Sequence, residues 1–279
     1  CGLSFAGHPG EDKFINNVGA EATMDLTLHG KIGNIPASEL VVVVDKKAPH
    51  RIRIRGRVNE VSFYGPNLSI WTEISTVPGS NEFRISDELT NNGTFDEEFQ
   101  IIYHANFGRP LLGKGARMLT ASTKIVPFND NAAKAIDKQE VYPAPTKGFT
   151  EEVYKIYPKA DKVGNATAVL VNPKGDRGVT MSWPVKQLPF LTQWKNTAAE
   201  TTGYVTGIEP GTGFPHNRNY ERKFGRVPKL APGKTRSFDL GFRILGSKSE
   251  VESAVGDVKK LQGTTVPEIQ KEPEALPEE

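Results

Sequence analysis

The sequence predicts an all-β sandwich. Three observations carry this: runs that alternate in polarity with a period of two, turn-forming residues between those runs at short intervals, and no succession of strand-length and helix-length segments of the kind that builds βαβ units. The sharpest run is "RIRIRGRV" at 51–58. There Ile52 and Ile54 alternate with Arg51, Arg53 and Arg55, giving a strand one buried and one wet face.

The elements follow in order. "MDLTLHG" alternates through Met24, Leu26 and Leu28. "ELVVVVD" holds the longest apolar run, which is strand-sized and far short of the roughly 18 to 20 residues a membrane helix needs. "HRIRIRGRVNEVSFYG", "NLSIWTEISTV", "NEFRISDELTNNG" and "EEFQIIYHA" continue the series. Their joints are turn formers: Gly65-Pro66-Asn67, Pro78-Gly79-Ser80 and Asn91-Asn92-Gly93. "ATAVLVNPKGDRGVTMSW" reads as a hairpin around Pro173 to Gly178, and "TGYVTGIEP" and "KTRSFDLGFRIL" complete the strands. Residues 129–162 show little alternation; "NDNAAKAIDKQ" reads as a short helix in a long excursion of the kind that shapes a binding site. After Leu245 the pattern turns helical, with Val251, Val255, Val258 and Leu261 on one stripe. The last stretch, "TTVPEIQKEPEALPEE", carries three prolines and five glutamates and reads as an unpacked tail. The expected organisation is a β-sandwich over 1–245 and a helical and disordered extension over 246–279.

Bulk composition narrows the function classes. The 279 residues include 35 basic and 33 acidic side chains, a formal charge of +2, which gives no reason to expect nucleic acid or an anionic membrane as partner. Cys1 is the only cysteine, so no intrachain disulfide exists. It is a lipid-bearing cysteine, a residue exposed by truncation or an artificial boundary; with no starting Met, an upstream segment is expected to be missing. The compartment stays open between cytoplasm and periplasm, and nothing sets the oligomeric state. HExxH, Cys/His clusters, a P-loop and GxSxG are all absent, so no metal or other cofactor is expected.

Five histidines remain to be placed. His50 lies in a charged run and reads as surface; His8 lies in a Gly/Pro loop. His29 in "LTLHGKIGN" and His104 in "IIYHANFG" each follow an alternating run and precede a glycine, where a side chain can face a cleft while the backbone turns away. Either one alone also reads as a structural hydrogen bonder. Glu209 ends the mostly apolar run "YVTGIEP", a setting that raises a carboxyl's pKa and suits a general base, or else it pairs with Arg218 or Arg222. "FLTQWK" sets Gln193 and Lys195 beside Trp194, an aromatic that suits a sugar face or a core.

In that order "CGL", "LHGKIGNIPA", "YHANFGRPLL", "LPFLTQWK" and "GIEPGTGFPHNR…GRVPKLAPG" resemble the DUF4432 family, a branch of the aldose 1-epimerase (galactose mutarotase-like) superfamily. The resemblance covers residues 1 to about 245 and implies a β-supersandwich of mostly antiparallel sheets with a sugar-binding cleft. Family members carry further strands before "CGL", which makes Cys1 an internal family position. It also implies roles: Glu209 takes the proton from the anomeric hydroxyl, His104 protonates the ring oxygen, and His29 polarises sugar oxygens. On that expectation His29, His104 and Glu209 line one cleft, with His104 and Glu209 facing each other across a sugar ring's width. Asn106, Gln193, Lys195, His216 and Arg218 are candidate substrate contacts. Arg109 either binds a substrate carboxylate or holds its own turn through a salt bridge. The expected partner is a small-molecule carbohydrate, a free sugar or sugar acid. A carbohydrate-binding module without turnover, and an isomerase or lyase acting on an oxidised sugar, are the alternatives.

Overall fold

Side-chain alternation makes strands of nearly every segment that shows it. The computed structural model describes residues 1–276, and these divide into two compact units. One unit comprises Cys1–Ile102, Gly211–Leu240 and Leu276; the other comprises Tyr103–Pro210 and Gly241–Ala275.

The first unit opens with β1 (Gly10–Ile15) and β2 (Glu21–Leu26), an antiparallel pair in register from Gly10↔Leu26 to Ile15↔Glu21. The "MDLTLHG" strand stops at Leu26, two residues short of Leu28, because His29 (φ 63°) and Gly30 (φ 76°) turn the chain through the left-handed region. The meander β3 (Glu39–Val44), β4 (Ile52–Val61), β5 (Asn67–Thr76) and β6 (Glu82–Asn91) follows, each strand antiparallel to the next. Leu68, Ile70 and Leu89 are its buried apolar residues, and in the same unit the buried Phe99 meets Phe238 edge to face at 6.2 Å. "EEFQIIYHA" gives only β7 (Glu97–Glu98).

The second unit holds β8 (Ala105–Phe107), β9 (Arg117–Thr120), β10 (Ser122–Pro127), α1 (Asp130–Ala135), β11 (Glu152–Pro158), β12 (Asn165–Val171), β13 (Gly178–Pro184), β14 (Phe190–Thr197) and β15 (Tyr204–Gly211). Asn129 caps α1, its side chain accepting from Ala132 N at 2.9 Å. The expected hairpin joins β12 and β13 with Val171 opposite Gly178; Gly175 (φ 71°) takes the left-handed turn position.

The first unit then receives α2 (Arg218–Lys223) and β16 (Lys229–Leu230). β17 (Thr235–Leu245) begins there, and its last residues pair with β13 in the second unit. α3 (Lys248–Gln262) follows, started by Ser247 Oγ accepting from Glu250 N. Its Val251 and Val258 are buried against Leu119, Ala121, Val169, Val171 and Leu245, with Val255 and Leu261 packed alongside. That is the stripe expected from the sequence, and the two buried valines contribute roughly 3 kcal/mol. The tail differs from expectation. Residues Glu268–Ile269 form β18, parallel to β10, and Glu274 makes an ion pair with Lys155, so an intramolecular partner offsets its low hydrophobicity. Residues 277–279 lie outside the described part.

One sheet of the second unit positions the chemistry. Its order is β18-β10-β11-β14-β15-β8.

Candidate active site

Strand register dictates which side chains share a face. In β8 and β15, Asn106 lies opposite Gly207 and Ala105 opposite Ile208. Directly opposed residues point to the same side, and successive residues alternate. Gly207 and Glu209 therefore share one face of β15, with Asn106 beside them; Thr206 and Ile208 take the other. His104 immediately precedes β8, so it sits next to Glu209.

The two functional groups touch. His104 Nε2 is 3.1 Å from Glu209 Oε1, with the imidazole 18% exposed and the carboxyl 2% exposed. Their closeness follows from neighbouring strands about 4.8 Å apart. Space for the pair comes from Gly207: a Cβ there would lie 2.2 Å from Glu209 Oε1 and 3.2 Å from His104 Cε1. Burial pushes the Glu209 carboxyl up to about 8, helped by the negative charge of Glu151. Trp194 adds a half-buried ring that meets the His104 imidazole edge-on at 5.7 Å, and its indole N–H donates to Glu151 at 2.6 Å.

This changes the geometry expected from sequence. The two groups are in contact and not a ring's width apart. The chemistry favours contact. The hydroxyl oxygen and the ring oxygen of a cyclic sugar are both bonded to the anomeric carbon. An acid and a base can therefore serve both from neighbouring positions.

The same alternation reassigns the "QWK" residues. Trp194 lies on the Glu209 side, so Gln193 and Lys195 point away from it. Gln193 is fully buried, donating to Tyr142 Oη at 2.9 Å and to Gln139 O at 3.2 Å. Tyr142 Oη in turn lies 2.8 Å from Thr206 Oγ1, on that inner face. Lys195 donates to Lys138 O at 3.1 Å and Val141 O at 3.0 Å; burial pulls its ammonium down to about 8 against the raising influence of Glu152. Both side chains serve the interior. Asn106 is exposed, on the Glu209 face. Arg109 takes the salt-bridge alternative, donating to Glu200 from Nε at 2.9 Å in an exposed pair.

The remaining candidates belong to the first unit. His29 Nδ1 is 3.3 Å from Ala6 O, and its backbone N–H donates to Gly7 O at 2.9 Å. Gly30 has no room for a side chain, since a Cβ would meet Phe5 O at 2.2 Å. The His216 ring stacks on Tyr220 at 3.9 Å. Arg218 is buried against Asp12, donating to Asp12 Oδ2 from Nε at 2.7 Å and to Ser4 O from Nη1 at 2.8 Å. Arg222 is held by Glu98 and Asp12. The two arginines that were alternatives for pairing with Glu209 thus have acidic partners in their own unit. A cavity of about 870 Å³ in that unit is lined by Lys13, Glu97, Arg218 and Arg222 among others, and burial raises Glu97 to about 7 against the lowering influence of Arg218.

Sequence reasoning missed Gly207 and left Trp194 undecided. The signal for both was period two: Gly207 stands two residues before Glu209, and Trp194 alternates with two polar neighbours.

Comparison with known proteins places this geometry in a fold and a family. At 41% identity and a TM-score of 0.92, the chain matches a candidate aldose 1-epimerase from Klebsiella pneumoniae subsp. pneumoniae MGH 78578, over 99% of this chain and 69% of that one. A candidate aldose 1-epimerase from Escherichia coli K12 is similar at 14% identity and a TM-score of 0.59, covering 86% of this chain and 81% of that one. A galactose mutarotase-like protein from Clostridium acetobutylicum gives 14% and 0.59, covering 87% and 78%. The fold is therefore galactose mutarotase-like, all-β with mostly antiparallel sheets and a C-terminal helix. The model of the family described as "Domain of unknown function (DUF4432)" matches residues 1–244, and the chain belongs to that family. No protein of curated function matches it significantly.

Proposed function

We propose that the protein is an aldose 1-epimerase-like isomerase that interconverts the anomers of a free sugar or sugar acid. The observation that carries this reading is the contact of His104 Nε2 with Glu209 Oε1 at 3.1 Å, with Glu209 desolvated and glycine behind it. The required state is a carboxylate on Glu209 beside an imidazolium on His104. Glu209 removes the proton from the anomeric hydroxyl as the C1–O5 bond breaks, and His104 delivers its proton to O5. The open-chain aldehyde rotates about C1–C2. Closure on the opposite face runs the same transfers backwards: O5 returns a proton to His104 and Glu209 returns one to O1. Atoms and charge balance over the cycle without a co-reactant.

Trp194 offers an aromatic face to the C–H bonds of the ring, and Asn106 an exposed amide for a hydroxyl. The galactose mutarotase-like fold and the epimerase description of the Klebsiella relative support the reading. Polarimetry on freshly dissolved α-sugars tests it: the wild-type chain speeds the approach to anomeric equilibrium, and Glu209→Gln or His104→Ala returns the rate to the buffer value. Acceleration undiminished in both variants would refute the assignment.

A further inference from the structure

Lys155 sits in the middle of β11, in "VYKIY", with a fully buried side chain. A lysine at such a position is strongly disfavoured unless its charge is matched. Register places it. Val153 lies opposite Trp194 and Lys155 opposite Thr192, so Lys155, Thr192, Val153 and Trp194 share one face. That is the face on which Trp194 meets His104. β11 and β15 are two strand spacings apart, about 10 Å, a distance a hexose ring and a long lysine side chain together span.

Two further observations concern the surroundings of Lys155. Thr192 is 1% exposed, and among the described residues its hydroxyl has no hydrogen-bond partner. The carboxylate paired with Lys155 comes from outside the sheet: Glu274 Oε2 accepts from Lys155 Nζ at 2.8 Å. Among the described residues the segment delivering it is held by a two-residue ladder and a few polar contacts, including the Lys124–Glu268 ion pair at 3.0 Å. Gln270 N donates to Ile125 O at 3.0 Å at the end of the two-residue β18 ladder, and Lys271 pairs with Asp137 in the open. Beyond that, Lys271, Glu272 and Ala275 are exposed, so withdrawing Glu274 uncovers little apolar surface. A buried cation, a buried hydroxyl without a partner and a displaceable carboxylate form a binding site with a stand-in ligand.

We infer that Lys155 and Thr192 form the subsite for the carboxylate of an acidic sugar, a hexuronate, and that Glu274 occupies it until substrate displaces the tail. The inference deepens the epimerase reading by naming a substrate class, and rests on that reading only for placing the ring beside Glu209 and His104. One carboxylate oxygen takes the ammonium proton of Lys155 as a charge-assisted hydrogen bond, and the other accepts from Thr192 Oγ1. The anomeric carbon at the far end of the ring then falls towards β15. Neutral hexoses lack the group that can compete with Glu274.

Calorimetric binding to the full chain tests this, with D-glucuronate, D-galacturonate and the matching neutral hexoses as probes. At least one uronate binds more tightly than its neutral counterpart. Glu274→Gln strengthens that binding at least tenfold, as expected if the tail carboxylate engages Lys155 more than nine-tenths of the time. Thr192→Val weakens it severalfold while circular dichroism is unchanged. Lys155→Met combined with Glu274→Leu removes both charges together, keeps the interior neutral, and abolishes the preference for uronates. If Glu274→Gln lowers the melting temperature and leaves uronate affinity unchanged, the pair is a structural clamp and the inference falls. Equal affinity for uronates and neutral hexoses in both the wild type and Glu274→Gln also overturns it. Uronate binding that responds to these variants without any anomer exchange would leave the subsite standing and sink the epimerase reading instead.

Discussion

Glu209→Gln should make the protein more stable as it makes it inactive, and the gain should grow with pH. Burial holds the folded carboxyl at about 8, against an ordinary value of 4.5. Between those values the folded chain binds the proton that the unfolded chain has released. Stability from this group is therefore complete below about 4.5 and is lost as pH rises towards 8. Each unit is worth about 1.36 kcal/mol, so at about pH 7 the wild type has lost at most about 3 kcal/mol. A protonated His104 beside the carboxylate offsets part of that loss. Glutamine keeps the shape without the titration. The melting temperatures of the two proteins should nearly coincide at about pH 5 and separate by up to about 6 °C at about pH 7, the variant higher. Thermal unfolding followed by circular dichroism at both pH values measures this. A gap that does not change with pH, or a less stable variant at neutral pH, would show that Glu209 is not the desolvated carboxyl the argument requires.

Three further outcomes follow from the same geometry. As general base Glu209 must be ionised, so kcat/KM for anomer exchange should rise with pH towards about 8; a profile levelling off near an ordinary carboxyl value would contradict a raised pKa. Gly207→Ala pushes a methyl group into the Glu209 carboxyl and against His104, and should cut turnover by about tenfold or more with the fold retained; unchanged turnover would mean that the pair does not need its observed spacing. Gln193→Leu removes the buried hydrogen bonds to Gln139 and Tyr142 and should cost about 1 to 3 kcal/mol of stability without altering KM; a raised KM at unchanged stability would return Gln193 to the binding site.

Much of this architecture was legible because period-two patterning is local. The "NPKGD" hairpin and the α3 stripe need only neighbouring residues to declare themselves, and each forms where the pattern places it; "RIRIRGRV" forms its strand, but Ile54 is exposed while Arg53 and Arg55 are half-buried, so the expected division into a buried and a wet face does not hold there. Glu209 and His104 were legible as chemistry, but their contact was not. It depends on β8 pairing with β15 across some hundred residues of chain, a register no local pattern encodes. The "QWK" error had a local remedy: three consecutive strand residues cannot all face one ligand, and Trp194 excludes its two neighbours. Arg218 illustrates the opposite limit. Its partner Asp12 lies more than two hundred residues away in sequence, so a buried ion pair looked like an available cation. Lys155 was overlooked for a related reason: a single lysine among aromatic and apolar residues reads as an ordinary strand until Glu274 and Thr192 are seen beside it.

The most direct measurement of the central claim is two-dimensional NMR exchange between α- and β-anomers, run at equilibrium over a panel of hexoses and hexuronates. Wild-type protein should give cross-peaks growing far faster than in buffer for at least one sugar. Glu209→Gln and His104→Ala should each lose that acceleration by about 100-fold or more while remaining folded. Wild-type exchange rates in both variants, or no acceleration by the wild type across the whole panel, would contradict the account.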